Sequence, residues 1–324
     1  MNSPFFSIIM PVYNGEKFIG ATLECVKNQT FPYYEVICID DHSSDRSAEI
    51  IQSFESKMPV HYLLNLEGKK GEGAARNYGL DKAVGKYVIC LDCDDIINDT
   101  FLEKAYNAIE KTQADCIIPG VVRFYDAVPQ EESKQVVPIL YKATDALDAI
   151  FEEKQDIQIT SVLRKSIIDC LNLRFYEDIN YGLDRVFLYT FLLNSDEIYY
   201  EPEITLFYRQ HQNSVLASKI SSVSLGYLNY LIKLQEQYKE KFPENFWHYF
   251  GKIYIRLLNL YAMGKIKDVA YLGNLEFYKP YLKKASKPKT KRDKLYFYLV
   301  RYYLKTPGLY IKTIALMKKI KGGA

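Results

Sequence analysis

Three aspartates crowd the end of an apolar run in "YVICLDCDDII": Asp92, Asp94 and Asp95. Carboxylates this close repel one another, and each loses hydration beside a core. A divalent cation, or a ligand brought by one, offsets that cost, and hard oxygen donors suit Mn²⁺ or Mg²⁺. An Asp-rich turn that caps the next helix is the plainer alternative. Further reactive types recur along the chain. Asp40 and Asp41 lead into a serine-rich loop, "DDHSSDRS". Arg76 sits in "GAARN", Glu177, Asp178 and Asp184 in "YEDINYGLDRVF", and Arg209 and His211 in "FYRQHQNSV".

The elements that must position these groups alternate in type. "FSIIMPVYN" reads as a strand ending at a proline turn, and "GEKFIGATLECVKNQT" has helical spacing through Phe18, Ile19, Leu23 and Val26. "YEVICIDD" is a second strand, "SAEIIQSFESK" a helix, "VHYLLNL" a short strand, "GEGAARNYGLDKAV" a loop feeding a helix, and "KYVICLDCDD" a strand. Such alternation predicts an α/β domain with a mostly parallel sheet. Ligands of such sheets bind beyond the strand C-termini, where "PVYN", "DDHSSD" and "DCDD" all fall.

Composition sets the outer limits. The 324 residues suffice for one large domain and a smaller appendage, and 48% hydrophobic with 25% charged residues is ordinary for a globular chain. Six cysteines, several in strand-like apolar runs, suit a reducing compartment. Cys90 and Cys93 form a lone CxxC; without a second pair, and with opposite pleats, they read as structural. The N-terminus lacks the basic start and cleavage site of a signal peptide, and no apolar window is long enough to span a bilayer. "GEG" is no phosphate loop, because neither GxxxxGK[ST] nor GxGxxG after a strand is present.

As an ordered set, "SIIMPVYNGEKFI", "IDDHSSDRS", "ARNYGLDKAVGKY" and "LDCDD" resemble the family 2 glycosyltransferases of GT-A fold, over residues 5–215. The resemblance implies a nucleotide-sugar site. Asp94 is then the direct metal ligand, with Asp92 facing the ribose or the metal's water shell. Asp41 accepts a hydrogen bond from the base, chemically suited to the N3–H of uracil or thymine. Pro11 and Tyr13 wall the base, with Tyr13 as a stacking ring, and Arg76 contacts the nucleotide side. The family's "GEDxxF" supplies a carboxylate that takes the acceptor proton in an inverting transfer. Here two registers compete: Glu177-Asp178 is a literal ED, whereas "GLDRVF" places Asp184 in the pattern with Leu183 for the glutamate. Asp184 is the preferred base and Asp178 the alternative. "FYRQHQNSV" resembles the family's "YRxHxxS" and implies Arg209 and His211 near the diphosphate, with His211 a possible metal ligand.

The chain is expected to divide into a GT-A catalytic domain, residues 1–218, and a helical region, residues 219–324. The former comprises a nucleotide-binding half, 1–99, and an acceptor half, 100–218. Residues 251–324 hold 18 Lys and Arg against 3 Asp and Glu, a net of +15 that leaves −13 for the rest. Basic residues alternate there with Tyr and Phe. An anionic membrane surface, a packed helical hairpin and nucleic acid are the readings, and the first fits a transferase acting on lipid carriers. The expected protein is an inverting enzyme that moves a hexose or N-acetylhexosamine, UDP-linked, to a hydroxyl of a lipid-linked surface glycan such as a capsule polysaccharide. Its expected place is cytoplasmic, peripheral at the inner face of the membrane. A nucleotidyltransferase would need a basic phosphate-gripping N-terminal loop, which "PVYNGEKF" is not. A non-catalytic nucleotide- or glycan-binding member of the fold is the other rival.

Overall fold

The computed structural model describes residues 3–66, 70–125, 127–128, 137–179, 181–210, 226–262, 275–284 and 291–321. By contacts the chain forms two units. The first comprises Met1–Ala146, Asp156–Glu177 and Leu183–His211; the second comprises Leu147–Gln155, Asp178–Gly182 and Gln212–Ala324.

The strands are β1 (Phe6–Val12), β2 (Tyr34–Asp40), β3 (Val60–Leu64), β4 (Tyr87–Cys90), β5 (Ile96–Ile97), β6 (Cys116–Phe124), β7 (Ile139–Lys142), β8 (Val162–Arg164) and β9 (Glu197–Arg209). Between them run α1 (Ile19–Lys27), α2 (Ser47–Gln52), α3 (Glu72–Lys82), α4 (Phe101–Thr112), α5 (Ala143–Phe151), α6 (Lys165–Cys170) and α7 (Leu183–Leu192). The sheet order is β3-β2-β1-β4-β8-β6-β9-β5, with β7 also on β9. Pairings β1–β2, β2–β3 and β1–β4 are parallel, as the alternation of strand and helix implied. Past β4 the sheet is mixed, because β8, β5 and β7 run antiparallel to their neighbours.

β1 and β2 are buried almost throughout, which explains their unbroken apolar runs. Close packing of α3 on this layer depends on Gly79, where a Cβ would come within 2.3 Å of the Ile9 side chain. The strand order also fixes where a ligand sits. The chain steps outward from β1 to β3 and then returns to lay β4 on the other side of β1. That reversal is a switch point, and the crevice beyond the ends of β1 and β4 is where such sheets bind ligands.

One sequence expectation needs correction. β1 does not stop at Pro11; it continues to Val12, with Pro11 opposite Ile39 and Val12 opposite Asp40. Successive residues face alternate neighbours, so the missing N–H of Pro11 points to the β4 side, where pairing has already ended at Ile9–Cys90. The proline costs no ladder bond.

The second unit is helical: α8 (Gly226–Gln237), α9 (Phe246–Ala262), α10 (Leu275–Lys283), α11 (Lys291–Lys305) and α12 (Pro307–Lys321). The many tyrosines have a physical role here. Their rings fill the core while their hydroxyls find partners: Tyr278 donates to Asn229 (2.9 Å), Tyr310 donates to Asn259 (2.8 Å), and the Tyr254 and Tyr303 hydroxyls lie 3.3 Å apart. Lys252 is buried and pairs with Glu153 at 3.3 Å. No helix among the described residues is long and apolar enough to cross a membrane.

Candidate active site

The loop after β2 is built from donors aimed at carboxylates. Asp40, at the strand end, accepts from the Ser43 N–H (2.8 Å) and the Tyr62 hydroxyl (2.9 Å). Asp41 accepts from the Asn65 side-chain amide (2.8 Å) and from the Gly71 N–H (2.7 Å), one on each oxygen. Gly71 has φ +113°, a backbone that L side chains rarely adopt, so glycine is needed to aim that N–H. Asp45 accepts from the N–H of Glu16 (3.0 Å), the N–H of Ser47 (3.0 Å) and the Ser47 hydroxyl (2.5 Å). Burial opposes ionisation at Asp45, but these bonds win and hold its carboxyl below the usual range. The Asn14 N–H donates to Ser43 and the Gly15 N–H to Ser47, tying the β1 and β2 loops together. Tyr13, 65% exposed, stands beyond β1.

After β4 the electrostatics are different. Asp92, Asp94 and Asp95 can each offer one oxygen within 4.8 Å of the others. The Thr22 hydroxyl lies 2.9 Å from the carbonyls of both Cys93 and Asp95, which pins this loop to α1. Burial and the charges of Asp92 and Asp94 push the Asp95 carboxyl up to about 9. Burial also raises Asp92, with Asp94 and Asp184 adding to it, while the Arg76 guanidinium opposes. Such crowding is what a hard divalent cation relieves. The hard oxygen donors of Asp92, Asp94 and Asp95 therefore suit a divalent cation.

Arg76 is only 1% exposed. It reaches Asp92 at 2.7 Å and Glu72, one helical turn back, also at 2.7 Å, and its guanidinium lies 5.4 Å from the Phe175 ring centroid. A buried cation between two carboxylates is locked in its charged form, and the charges of Glu72 and Asp92 raise its pKa despite burial. Arg76 thus carries positive charge to the floor of the acidic cluster. The next residue, Asn77, clamps a distant segment. Its amide nitrogen donates to the Phe175 carbonyl (3.0 Å) and to Glu177 (2.9 Å), and its oxygen accepts from the Phe175 N–H (2.8 Å).

Arg209, ending β9, holds the same loop twice. Its backbone N–H donates to Asp95 (2.9 Å) and its Nε to the Asp94 carbonyl (2.8 Å), while its guanidinium sits 4.5 Å from the Phe124 ring. Tyr208 beside it is raised to about 12 by burial and by the charges of Asp95, Asp92, Asp94 and Asp184.

Asp184 lies in the first turn of α7, and its charge is felt by Arg76, Asp92 and Tyr208. It therefore shares the neighbourhood of the acidic cluster. Asp178 is placed differently: it belongs to the second unit, where the Tyr230 hydroxyl donates to both its oxygens at 2.8 and 3.0 Å. Leu183 is buried. His211 lies outside the described residues. Cys90 and Cys93 bridge nothing, and burial pushes Cys90 up to about 12 and Cys93 well above its ordinary value, so both stay thiols.

Four groups were missed by sequence reasoning: Glu72, Asn65, Phe175 and Tyr208. Glu72 carried a usable signal, being four residues before Arg76 on one helix. Asn65, Phe175 and Tyr208 had no local signal, since tertiary placement alone brings them in.

Residues 7–171 match the family described as Glycosyl transferase family 2, just over half of the chain. The chain belongs to that family. Over 107 residues it is 44% identical to an uncharacterized glycosyltransferase of Haemophilus influenzae, covering 33% of this chain and 43% of that protein. Over 116 residues it is 33% identical to glycosyltransferase GlyG of Streptococcus pneumoniae, covering 36% of this chain and 38% of that protein. The chain thus spans less than half the length of these two curated relatives. An uncharacterized glycosyltransferase of Methanocaldococcus jannaschii matches more evenly, at 27% identity over 81% of this chain and 89% of its own. The crystal structure of Staphylococcus aureus TarS 1–349 in complex with UDP-GlcNAc superposes with a TM-score of 0.67, covering 98% of this chain and 92% of that one. At 18% identity this likeness shows the fold, which is GT-A-like.

Proposed function

We propose that this family 2 member transfers a hexose or N-acetylhexosamine from a UDP-sugar, with inversion, to a hydroxyl of a growing surface glycan on a lipid carrier. One observation carries the reading. Asp41 follows β2 and the Asp92-Asp94-Asp95 cluster follows β4, on the same edge of the sheet and on either side of β1, while Arg76 pairs with Asp92 and the charge of Asp184 bears on Asp92.

In this reading Asp41 accepts the base N–H, since its oxygens keep lone pairs beside the Asn65 and Gly71 donors. Tyr13 offers its exposed ring to the base. Asp92, Asp94 and Asp95 would hold a divalent cation, which when bound supplies positive charge to the departing diphosphate. Arg76 opposes the burial that raises Asp92, and orients its carboxylate through a 2.7 Å hydrogen bond. Asp184 accepts the acceptor proton as the hydroxyl oxygen forms its bond to the anomeric carbon; the bond from that carbon to the phosphate oxygen breaks, and the nucleoside diphosphate leaves. Asp184 is preferred over Asp178 because the Tyr230 hydroxyl engages both oxygens of Asp178. The similarity to TarS of Staphylococcus aureus, a poly(ribitol-phosphate) beta-N-acetylglucosaminyltransferase, lends support to an N-acetylhexosamine donor.

Titration with UDP, GDP, dTDP and CDP, each with and without Mn²⁺, tests the donor site. Metal-dependent binding of UDP above the others is expected; binding of none overturns the reading. Asp184→Asn should keep UDP affinity and lower transfer by about 10²–10⁴-fold. Full transfer by that variant would move the base elsewhere. Binding without turnover across donors and acceptors would instead identify a non-catalytic member.

A further inference from the structure

α11 has a buried face and an exposed one, and of the exposed side chains Tyr302 also reaches the Tyr310 ring of α12, with 5.8 Å between centroids. Val300 and Tyr303 are buried, with Tyr303 against Tyr254 of α9 and Val300 beside Gly251. The other face carries Lys294, Leu295, Tyr298, Arg301, Tyr302 and Lys305, and all six are exposed. At 3.6 residues per turn these positions fall within about a third of the helix circumference. The arc contains no acidic residue. Leu295 is 59% exposed and Tyr298 66%, large apolar surfaces for a soluble helix to leave in water.

The order of side chains around the arc matters. Arg301, Lys294 and Lys305 occupy one edge, and Tyr298, Tyr302 and Leu295 the other. A helix that lies in a bilayer interface needs this: ammonium and guanidinium groups at headgroup level, and an aliphatic chain with tyrosine rings reaching just below. α11 is also too short and too charged to span. Residues 251–324 carry a net +15, which complements an anionic leaflet rather than a zwitterionic one.

We infer that the Lys294–Lys305 face of α11 docks on an anionic lipid surface, lying parallel to it. The inference stands on the second unit alone and does not depend on the transfer reaction.

Vesicle flotation of the full chain tests it, with phosphatidylcholine vesicles that contain or lack phosphatidylglycerol. Two variants accompany the wild type: a charge variant, Lys294→Glu with Arg301→Glu and Lys305→Glu, and an apolar variant, Leu295→Ser with Tyr298→Ser and Tyr302→Ser. All six sites are exposed, and thermal melts confirm that the variants fold. The wild type should float with phosphatidylglycerol vesicles only, and each variant should lose about tenfold or more of that partitioning. No flotation of the wild type overturns the proposal, as does equal flotation of all three proteins. Loss in the charge variant alone overturns the interfacial geometry, leaving mere attraction. A concentration-dependent self-association that both variants abolish, without flotation, gives the face to a second copy of the chain and likewise overturns it.

Discussion

The two acidic strand ends of the first unit are alike in composition and opposite in electrostatics. Beyond β2, Asp40, Asp41 and Asp45 each accept at least two hydrogen bonds from N–H, amide or hydroxyl donors. Their charge is dispersed into the loop, and what remains is a fixed acceptor. Beyond β4, burial together with the neighbouring charges of Asp92 and Asp94 pushes Asp95 up to about 9. One end presents a fixed acceptor; the other holds a repulsion that a bound cation would relieve. A count of aspartates cannot separate the two. The surrounding donors can.

Substitutions at the two ends should break the likeness in graded steps. Asp94→Asn removes a like charge and, on the proposed reading, a metal ligand together. Transfer should fall about a thousandfold or more, while the cation-free melting temperature stays level or rises because repulsion is relieved. A melting temperature that falls sharply would show that Asp94 stabilises the fold instead. Arg76→Met leaves the half-buried Asp92 and Glu72 without their counter-charge, so urea unfolding should report a loss of about 1–3 kcal/mol. Asp41→Asn sets an NH2 group against one of the two donors, Asn65 or Gly71, so the loop should loosen locally while the domain still folds, and nucleotide binding should weaken about tenfold or more. Calorimetric titration would read it directly.

Asp45→Ala is the smallest, at about 1 kcal/mol near neutral pH, the usual net worth of a hydrogen bond of this kind. Its pH dependence has a definite sign. The folded carboxyl lies below its ordinary value. Its contribution is therefore complete above the unfolded pKa and disappears as pH falls through the folded one. Stability curves of wild type and variant should converge in acid and stay apart at neutral pH; parallel curves would remove Asp45 from the account.

Much of the first unit was legible because strand and helix periods differ and alternate, and because the parallel strands deliver their C-termini to one edge. Asp92, Asp94 and Asp95 read as a cluster from spacing alone, since a strand end cannot separate neighbours. Arg76 was legible as a site residue through resemblance, but its burial between Glu72 and Asp92 was not, because helix α3 shows only a weak apolar face around it. The preference for Asp184 over Asp178 came from the "GLDRVF" register alone, and the sequence offered no physical ground for it. Both sit in one short stretch, and only the fold engages Asp178 with Tyr230 and brings the charge of Asp184 to bear on Arg76. The mixed pairing past β4 was equally hidden: β8 has three residues and β5 two, too few for a period to register.

The length of β9 has a consequence for how the chain can change. This strand of 13 residues pairs with β7 at its start, with β6 along its course and with β5 near its end, and it delivers Arg209 to Asp94 and Asp95. Its register on β6 jumps between Pro119 and Gly120, where Glu201 gives way to Thr205 as the next partner. Past that jump, a single inserted residue would turn every side chain to the other face and carry the arginine away from the loop it holds. Within the jump, an extra or missing residue has slack to vanish into. Length variation in descendants of this chain, natural or bred in the laboratory, should accordingly collect at residues 202–204 and avoid 205–209.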